Sequence, residues 1–269
     1  MASIDGALLD FKRLDRLATG DTAIHRLDPR AKVLATLVFV VTVVSFGKYE
    51  VTALVPFLLF PVAMVALGNL PVSYIIKKIA LLCPFALVVG MFNPIFDREV
   101  LVQIGSLGIT GGWISFASIV MRSILTVGAA IVLVGVTGFP GVCLALERVG
   151  MPRVFAVQLL FLYRYIFVLT DEGARMERAR KLRAFGKKVE PRIFGSLVGH
   201  LLLRTWQRAE RIHLAMLARG FTGEFHTRQD TRFGSREMLF LFGWSSLFIT
   251  MRFLNLSQLV GSLVTGISP

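Results

Sequence analysis

Long apolar runs with short polar punctuation fill the first half of the chain. His25-Arg26-Leu27-Asp28-Pro29-Arg30-Ala31-Lys32 leads into Val33–Phe46. Only Gly47-Lys48-Tyr49-Glu50 separates that run from Val51–Gly68, so a helical hairpin with a tight external turn is predicted. Lys77 and Lys78 mark the return to the basic side. A third run, Ile79–Phe96, contains Pro84 and Asn93-Pro94, which remove backbone donors and are expected to bend or end the helix near its outer end. Asp97–Gly112 reads as a loop. Trp113 then stands where an interfacial aromatic is expected, ahead of a fourth span reaching Val136.

From Gly138 to Arg236 the pattern changes, with charges interleaved into helical periodicity and glycine and proline as punctuation. Gly150 and Pro152 give a stop and a restart, so a long helix is expected over Pro152–Phe185, apolar through Val154–Leu169 and charged through Asp171–Arg183. Gly186 closes it and Pro191 opens a second. There Ile193, Phe194, Leu197, Val198, Leu201 and Leu202 form one apolar face, continued by Ile212 and Met216, with Arg204, Arg208 and Arg211 off the stripe. Two helices crossed on their apolar faces are the expected arrangement, and Gly220 ends the second. A fifth apolar run follows at Met238–Met251. The fold class is therefore all-α, a polytopic helical membrane protein of about five spans. Its expected parts are residues 1–137 (an N-terminal segment and four spans), 138–236 (an amphipathic cytoplasmic module) and 237–269 (the last span and tail).

Composition agrees. Hydrophobic residues make up 55% of the 269, there are 22 phenylalanines, and mean hydropathy is +0.68. A hydrocarbon core of roughly 30 Å needs about 20 helical residues, and the runs do not alternate as barrel strands would. The net charge of +13 and pI near 10.5 raise the question of nucleic acid. Position answers it: 18 of the 30 Lys and Arg fall between the fourth and fifth spans and six precede the first. Cytoplasmic loops retain such residues, so the asymmetry orients the chain in a plasma (inner) membrane with its N-terminus inside and gives no case for nucleic acid.

Little in the chain suggests catalysis. There is no His-Glu-x-x-His, no phosphate-binding Gly-x-x-x-x-Gly-Lys-Ser/Thr and no dinucleotide fingerprint, so neither a cofactor nor ATP hydrolysis by this chain is expected. His25, His200, His213 and His226 are scattered without acidic or thiol partners at ligand spacing, and Cys83 and Cys143 form no Cys-x-x-Cys pair. The N-terminus mixes five aspartates with six basic residues, unlike a cleavable signal. Arg122 lies inside the fourth span, where it either snorkels or pairs with a neighbour, or else lines a transport path.

Arg183 and Arg219 remain. Each falls at the predicted C-terminus of a long helix and is followed by a small residue, Ala184 or Gly220. A cation there complements the helix dipole by about 0.3–1 kcal/mol, which is reason enough for one arginine. Two such tips suggest docking onto a partner, since the planar guanidinium engages carboxylates and carbonyls together.

These stretches resemble the transmembrane coupling (T) component of energy-coupling factor transporters. The resemblance rests on His25–Lys32, on Leu162-Tyr163-Arg164-Tyr165 with the residues to Glu172, on Ala179-Arg180-Lys181-Leu182-Arg183-Ala184-Phe185 and on Met216-Leu217-Ala218-Arg219-Gly220-Phe221. The tyrosine-arginine stretch looks most like the cobalt-type (CbiQ) branch, which serves cobalt or nickel uptake. In that family two Ala-Arg-Gly-like triplets end crossed coupling helices and insert their arginines into a pair of cytoplasmic ABC ATPases. Ala218-Arg219-Gly220 matches in full, whereas Leu182-Arg183-Ala184 keeps the arginine and a small follower. The resemblance implies a non-catalytic subunit in the lipid bilayer. It would pass ATPase motion to a separate membrane substrate-binding (S) subunit, with ATPase-binding residues Arg183, Ala184, Ala218, Arg219 and Gly220. The alternatives are a self-sufficient carrier or channel, or a membrane-embedded enzyme.

Overall fold

The computed structural model describes residues 15, 17–96, 100–104, 107–184, 191–221 and 234–253. It falls into two compact units, Arg13–Ala145 with Thr231–Pro269, and Leu146–Asp230 with Met1–Lys12.

In the first unit, α1 spans Pro29–Val44, one turn earlier than its apolar run. Asp28 caps it, with the Asp28 carboxylate accepting from the Arg30 amide at 2.8 Å and Pro29 in the first turn. The second apolar run is not one helix. It divides into α2 (Val51–Leu54), a 3-10 turn (Val55–Leu58) and α3 (Leu59–Leu67). Pro56 sits in that turn, where it can donate no helical hydrogen bond. The third helix, α4, covers Val72–Met91, so it begins before the expected Ile79 and takes in Lys77 and Lys78. It runs through Pro84 without ending. The break comes at Phe92, after which α5 is the short Asn93–Phe96, so the outer end is interrupted at the Asn-Pro pair.

The segment read as a loop contains a small antiparallel hairpin, β1 (Val100–Ile104) and β2 (Leu107–Thr110), irregular between Val100 and Val102. Its valines, leucines and isoleucines have strand propensity that a loop reading passes over. Helix α6 follows at Gly111–Thr137 and is central, contacting α1 through α5. It lies close to α4 because Gly90 has no side chain: a Cβ there would meet Phe116 at 2.8 Å. After α7 (Phe139–Val149) the chain leaves this unit and returns with α10 (Ser235–Phe253), which packs on α1.

Aromatic packing closes that interface. Phe248 of α10 is buried against Phe39 at 5.3 Å and Phe60 at 5.2 Å between ring centroids, and Trp244 meets Phe60 edge-on at 5.0 Å. Lipid chains are as apolar as these rings, so the helices are held by close packing more than by exclusion from water. At one end of the bundle, Arg122 of α6 donates to the Gly47 carbonyl. Arg252 of α10 donates to the Ser45 carbonyl at 3.1 Å, reaches Glu50 at 3.5 Å and lies over the Phe46 ring at 4.3 Å. Arg122 thus pairs with a neighbouring turn.

Among the described residues, three helices are long and apolar enough to cross a membrane: Val72–Met91, Gly111–Thr137 and, in the second unit, Arg153–Arg183. Only 17% of the most apolar stretch of Val72–Met91 is buried within the protein. The chain is an all-α membrane protein with one added hairpin. Among the other expected spans, α1 has 16 residues, the second is broken as above, and α10 carries Arg236, Glu237 and Arg252 near its ends.

Candidate functional site

The second unit is built on two long helices, α8 (Arg153–Arg183) and α9 (Pro191–Ala218), which contact each other. Their starts follow the sequence signals, with Pro152 as the N-cap of α8 and Pro191 as the first residue of α9. The expected packing along a full apolar face is only partly made. Leu197, Leu201, Thr205, Ile212 and Met216 are half-buried, but Phe194 (61% exposed), Val198 and Leu202 are open. The helices meet locally, not along their length. Gly173 of α8 provides the near approach, where a Cβ would stand 3.7 Å from Leu201.

Beside that contact lies an ion pair missed in the sequence. Glu172 of α8 accepts from Arg204 of α9 at 2.6 Å and from Arg175 at 2.9 Å, and Glu172 and Arg204 together with Thr205, Gln207, Arg208 and Arg211 line a polar cleft of about 320 Å³. Glu172 begins the charged half of α8 and Arg204 follows the leucine run of α9, a signal that becomes readable only once the crossing point is known. Thr205, which returns its hydroxyl to the Leu201 carbonyl, fills the contact face without an unpaired donor.

The helix ends carry the candidate residues. At the α9 terminus, the Phe221 amide donates to the Met216 carbonyl at 3.0 Å and the Gly220 amide to the Leu217 carbonyl at 3.0 Å. Those two bonds define a Schellman cap, and Gly220 supplies the left-handed residue it needs at φ +74°. No heavy atom lies within 4 Å of a Cβ built at Gly220, so the requirement comes from the backbone and not from space. Ala218-Arg219-Gly220 is therefore the last helical residue, the C-cap and the turn residue of one motif. Arg219 is exposed at its apex.

At the α8 terminus, Ala184 is a right-handed C-cap whose amide donates to the Arg180 carbonyl at 2.9 Å. Arg183 is the last helical residue and is exposed, in a final turn that also holds Arg180 and Lys181. Phe185 and Gly186, expected to finish this tip, lie outside the described residues. Both candidate arginines thus end a long helix, by different caps, and both are exposed.

Residues 20–231 match the family described as cobalt transport protein, CbiQ. The chain belongs to this family. Its relatives include the energy-coupling factor transporter transmembrane protein EcfT of Heliobacterium modesticaldum, 29% identical across 76% of this chain and 81% of the relative. The EcfT of Streptococcus equi subsp. equi is 27% identical across 80% and 85%. The cobalt transport protein CbiQ of Salmonella typhimurium is 30% identical across 53% of this chain and 69% of that protein. The match covers both long helices and both tips, and identifies a T component of the energy-coupling factor type, as the motif resemblance implied.

Proposed function

We propose that this CbiQ-family chain couples a pair of cytoplasmic ABC ATPases to a membrane substrate-binding subunit that takes up cobalt or nickel, and itself catalyses nothing. The observation that carries this reading is the pair of exposed arginines at the ends of α8 and α9, one fixed by a Schellman cap. A rigid helix transmits a push at its tip along its whole length, and 28 residues of α9 extend roughly 42 Å at 1.5 Å each. An ATPase pair that prefers one tip arrangement in one nucleotide state would bias the helices toward it, which is all that coupling requires. Arg183, Ala184, Ala218, Arg219 and Gly220 form the docking set. The small neighbours leave room for a partner backbone, and the guanidinium fork offers five donors.

The excess of basic residues after the apolar half of α8 supports a cytoplasmic location, on the inner face of the plasma membrane, for Asp171–Arg236 together with the N-terminus. An impermeant thiol reagent applied to intact cells should leave a cysteine placed at Lys188 unmodified; outside labelling there would reverse the orientation.

The decisive experiment is copurification of tagged Arg183→Ala/Arg219→Ala chain with its ATPases, alongside metal uptake. An interface-centre arginine costs roughly 2 kcal/mol or more when truncated, about thirtyfold in affinity, whereas a cation serving only its own helix dipole costs under about 1 kcal/mol, felt as stability. The double variant should insert normally and lose both ATPase capture and uptake. Parental capture by the double variant would refute the docking role.

A further inference from the structure

Beside α10, in the first unit, an open groove of about 620 Å³ runs from the segment preceding α1 along the helix. Its wall is apolar: Leu239, Phe240, Gly243 and Trp244 line it, and from Met238 to Met251 the helix carries no charged residue. At its mouth stand two arginines, Arg26 and Arg236. The contacts of α10 fix which end this is. Arg252, at the far end, binds the turn that follows α1, so α10 runs parallel to α1 and both arginines lie at the end where the chain is most basic. One acid also borders the mouth, Glu237, and its carboxylate is turned back to accept from the Gly234 amide at 3.0 Å. Asp21 accepts from the Arg26 Nε at 3.1 Å in a pair exposed on both sides, which water and a competing anion readily exchange.

We propose that this groove binds a membrane phospholipid with an acidic headgroup, one acyl chain lying along Leu239–Trp244 and the phosphate held between Arg26 and Arg236. The charge complementarity commits the occupant. A chain-like apolar channel that ends in two guanidiniums matches an amphiphile with one anionic end, and phosphate is the anion a guanidinium grips by two parallel hydrogen bonds. Basic pockets at the cytoplasmic end of membrane helices recognise lipid headgroups on the same grounds. A partner helix would need its own acidic pair at one depth and would leave the arginines costly to bury without it. The site lies apart from the α8 and α9 tips in the sequence and is independent of the coupling role.

Trp244 provides the reporter, because it is one of three tryptophans and is half-buried in the groove wall. Trp113 and Trp206 are both largely exposed and can be replaced by phenylalanine. The full chain in that background is reconstituted into phosphatidylcholine vesicles containing rising fractions of phosphatidylglycerol or phosphatidylcholine brominated on the acyl chain. Brominated phosphatidylglycerol should quench Trp244 at a lower fraction, by roughly fivefold for each arginine. Arg26→Gln/Arg236→Gln should bring the two lipids to equal quenching. Gly243→Leu should reduce quenching by both with helix content intact, since a Cβ at Gly243 meets nothing within 4 Å and its branched side chain would fill the groove. Equal quenching by the two lipids in the parent, or a preference that survives the double glutamine variant, would overturn the proposal. So would a Trp244 shielded from both lipids, or one that becomes shielded when the ATPases and substrate subunit are co-reconstituted, because protein would then occupy the groove.

Discussion

Replacing Gly220 by valine separates the position of the Arg219 charge from its presence. Gly220 holds φ at +74°, where a side-chain-bearing residue costs about 1–3 kcal/mol and a β-branched one sits toward the upper end. Against that strain stand the two cap hydrogen bonds, Phe221 to Met216 and Gly220 to Leu217, together contributing about 1–3 kcal/mol at 0.5–1.5 kcal/mol each. The two magnitudes are comparable, so the cap should be open in a large share of molecules. Arg219, its C-cap residue, would then keep its charge and lose its fixed aim. Apparent affinity falls in proportion to the population that retains the competent tip.

Copurification with the ATPases should therefore drop several-fold in Gly220→Val, while circular dichroism shows no more than a last-turn loss from α9. Asparagine tolerates the left-handed region better and should capture at an intermediate level. Gly195→Ala and Gly199→Ala are the controls: both positions are helical, have ordinary φ and face open space, so each should strengthen the helix by up to about 1 kcal/mol without changing capture. If Gly220→Val captures as well as the parent, tip geometry is irrelevant and only net charge remains as an explanation of the triplet.

Phe248→Ala should lower stability by about 3–5 kcal/mol, because it empties a site enclosed by Phe39, Phe57, Phe60 and Trp244; thermal unfolding in detergent measures it, and Phe248→Leu should recover most of the loss. Arg252→Ala should cost about 1–2 kcal/mol, since a carbonyl hydrogen bond, a ring contact and a half-exposed ion pair go together, whereas Glu50→Gln alone should cost less than about 1 kcal/mol. His25 gives a pH dependence. Its Nε2 donates to the Leu17 carbonyl at 3.0 Å and its Nδ1 accepts from Thr22 at 2.7 Å, an arrangement of the neutral ring, and burial lowers its pKa below the ordinary 6.5. Both states are neutral well above pH 6.5; below it the unfolded chain takes the proton first, so melting temperature should fall as pH drops from 7.5 toward 5, and His25→Gln should flatten that slope.

The helix starts and stops in the second unit were legible because proline and glycine enforce them through the backbone alone. Pro152, Pro191 and Gly220 need no tertiary information, and α8 and α9 begin and end within two residues of the reading wherever the ends are described. The start of α4 was not legible, because Lys77 and Lys78 read as the edge of a span, although lysine is a good helix former and Val72 already follows a proline N-cap. Charge marks where lipid ends; it does not mark where a helix begins. Pro56 was a visible signal left unused, and it accounts for the 3-10 turn that divides the second run.

The candidate site divides along the same line. That Arg219 occupies a C-cap could be inferred from Ala-Arg-Gly, since the cap is local. That Glu172 would find Arg204, 32 positions away, could not, because the pairing depends on where two helices cross, and the apolar stripe of α9 is long enough to permit several crossing points. The structure selects one, at Gly173, and leaves Phe194, Val198 and Leu202 uncovered. Such a contact leaves fewer packed side chains opposing a change in crossing angle than a face packed end to end, and Glu172 with Arg204 and Arg175 keeps the charged pivot satisfied. Two stiff helices joined mainly at one point behave as levers about it, so a displacement at a tip becomes a displacement of the opposite arm. That is the mechanical property the proposed coupling role requires, and it follows from the very apolar residues that the crossing leaves exposed.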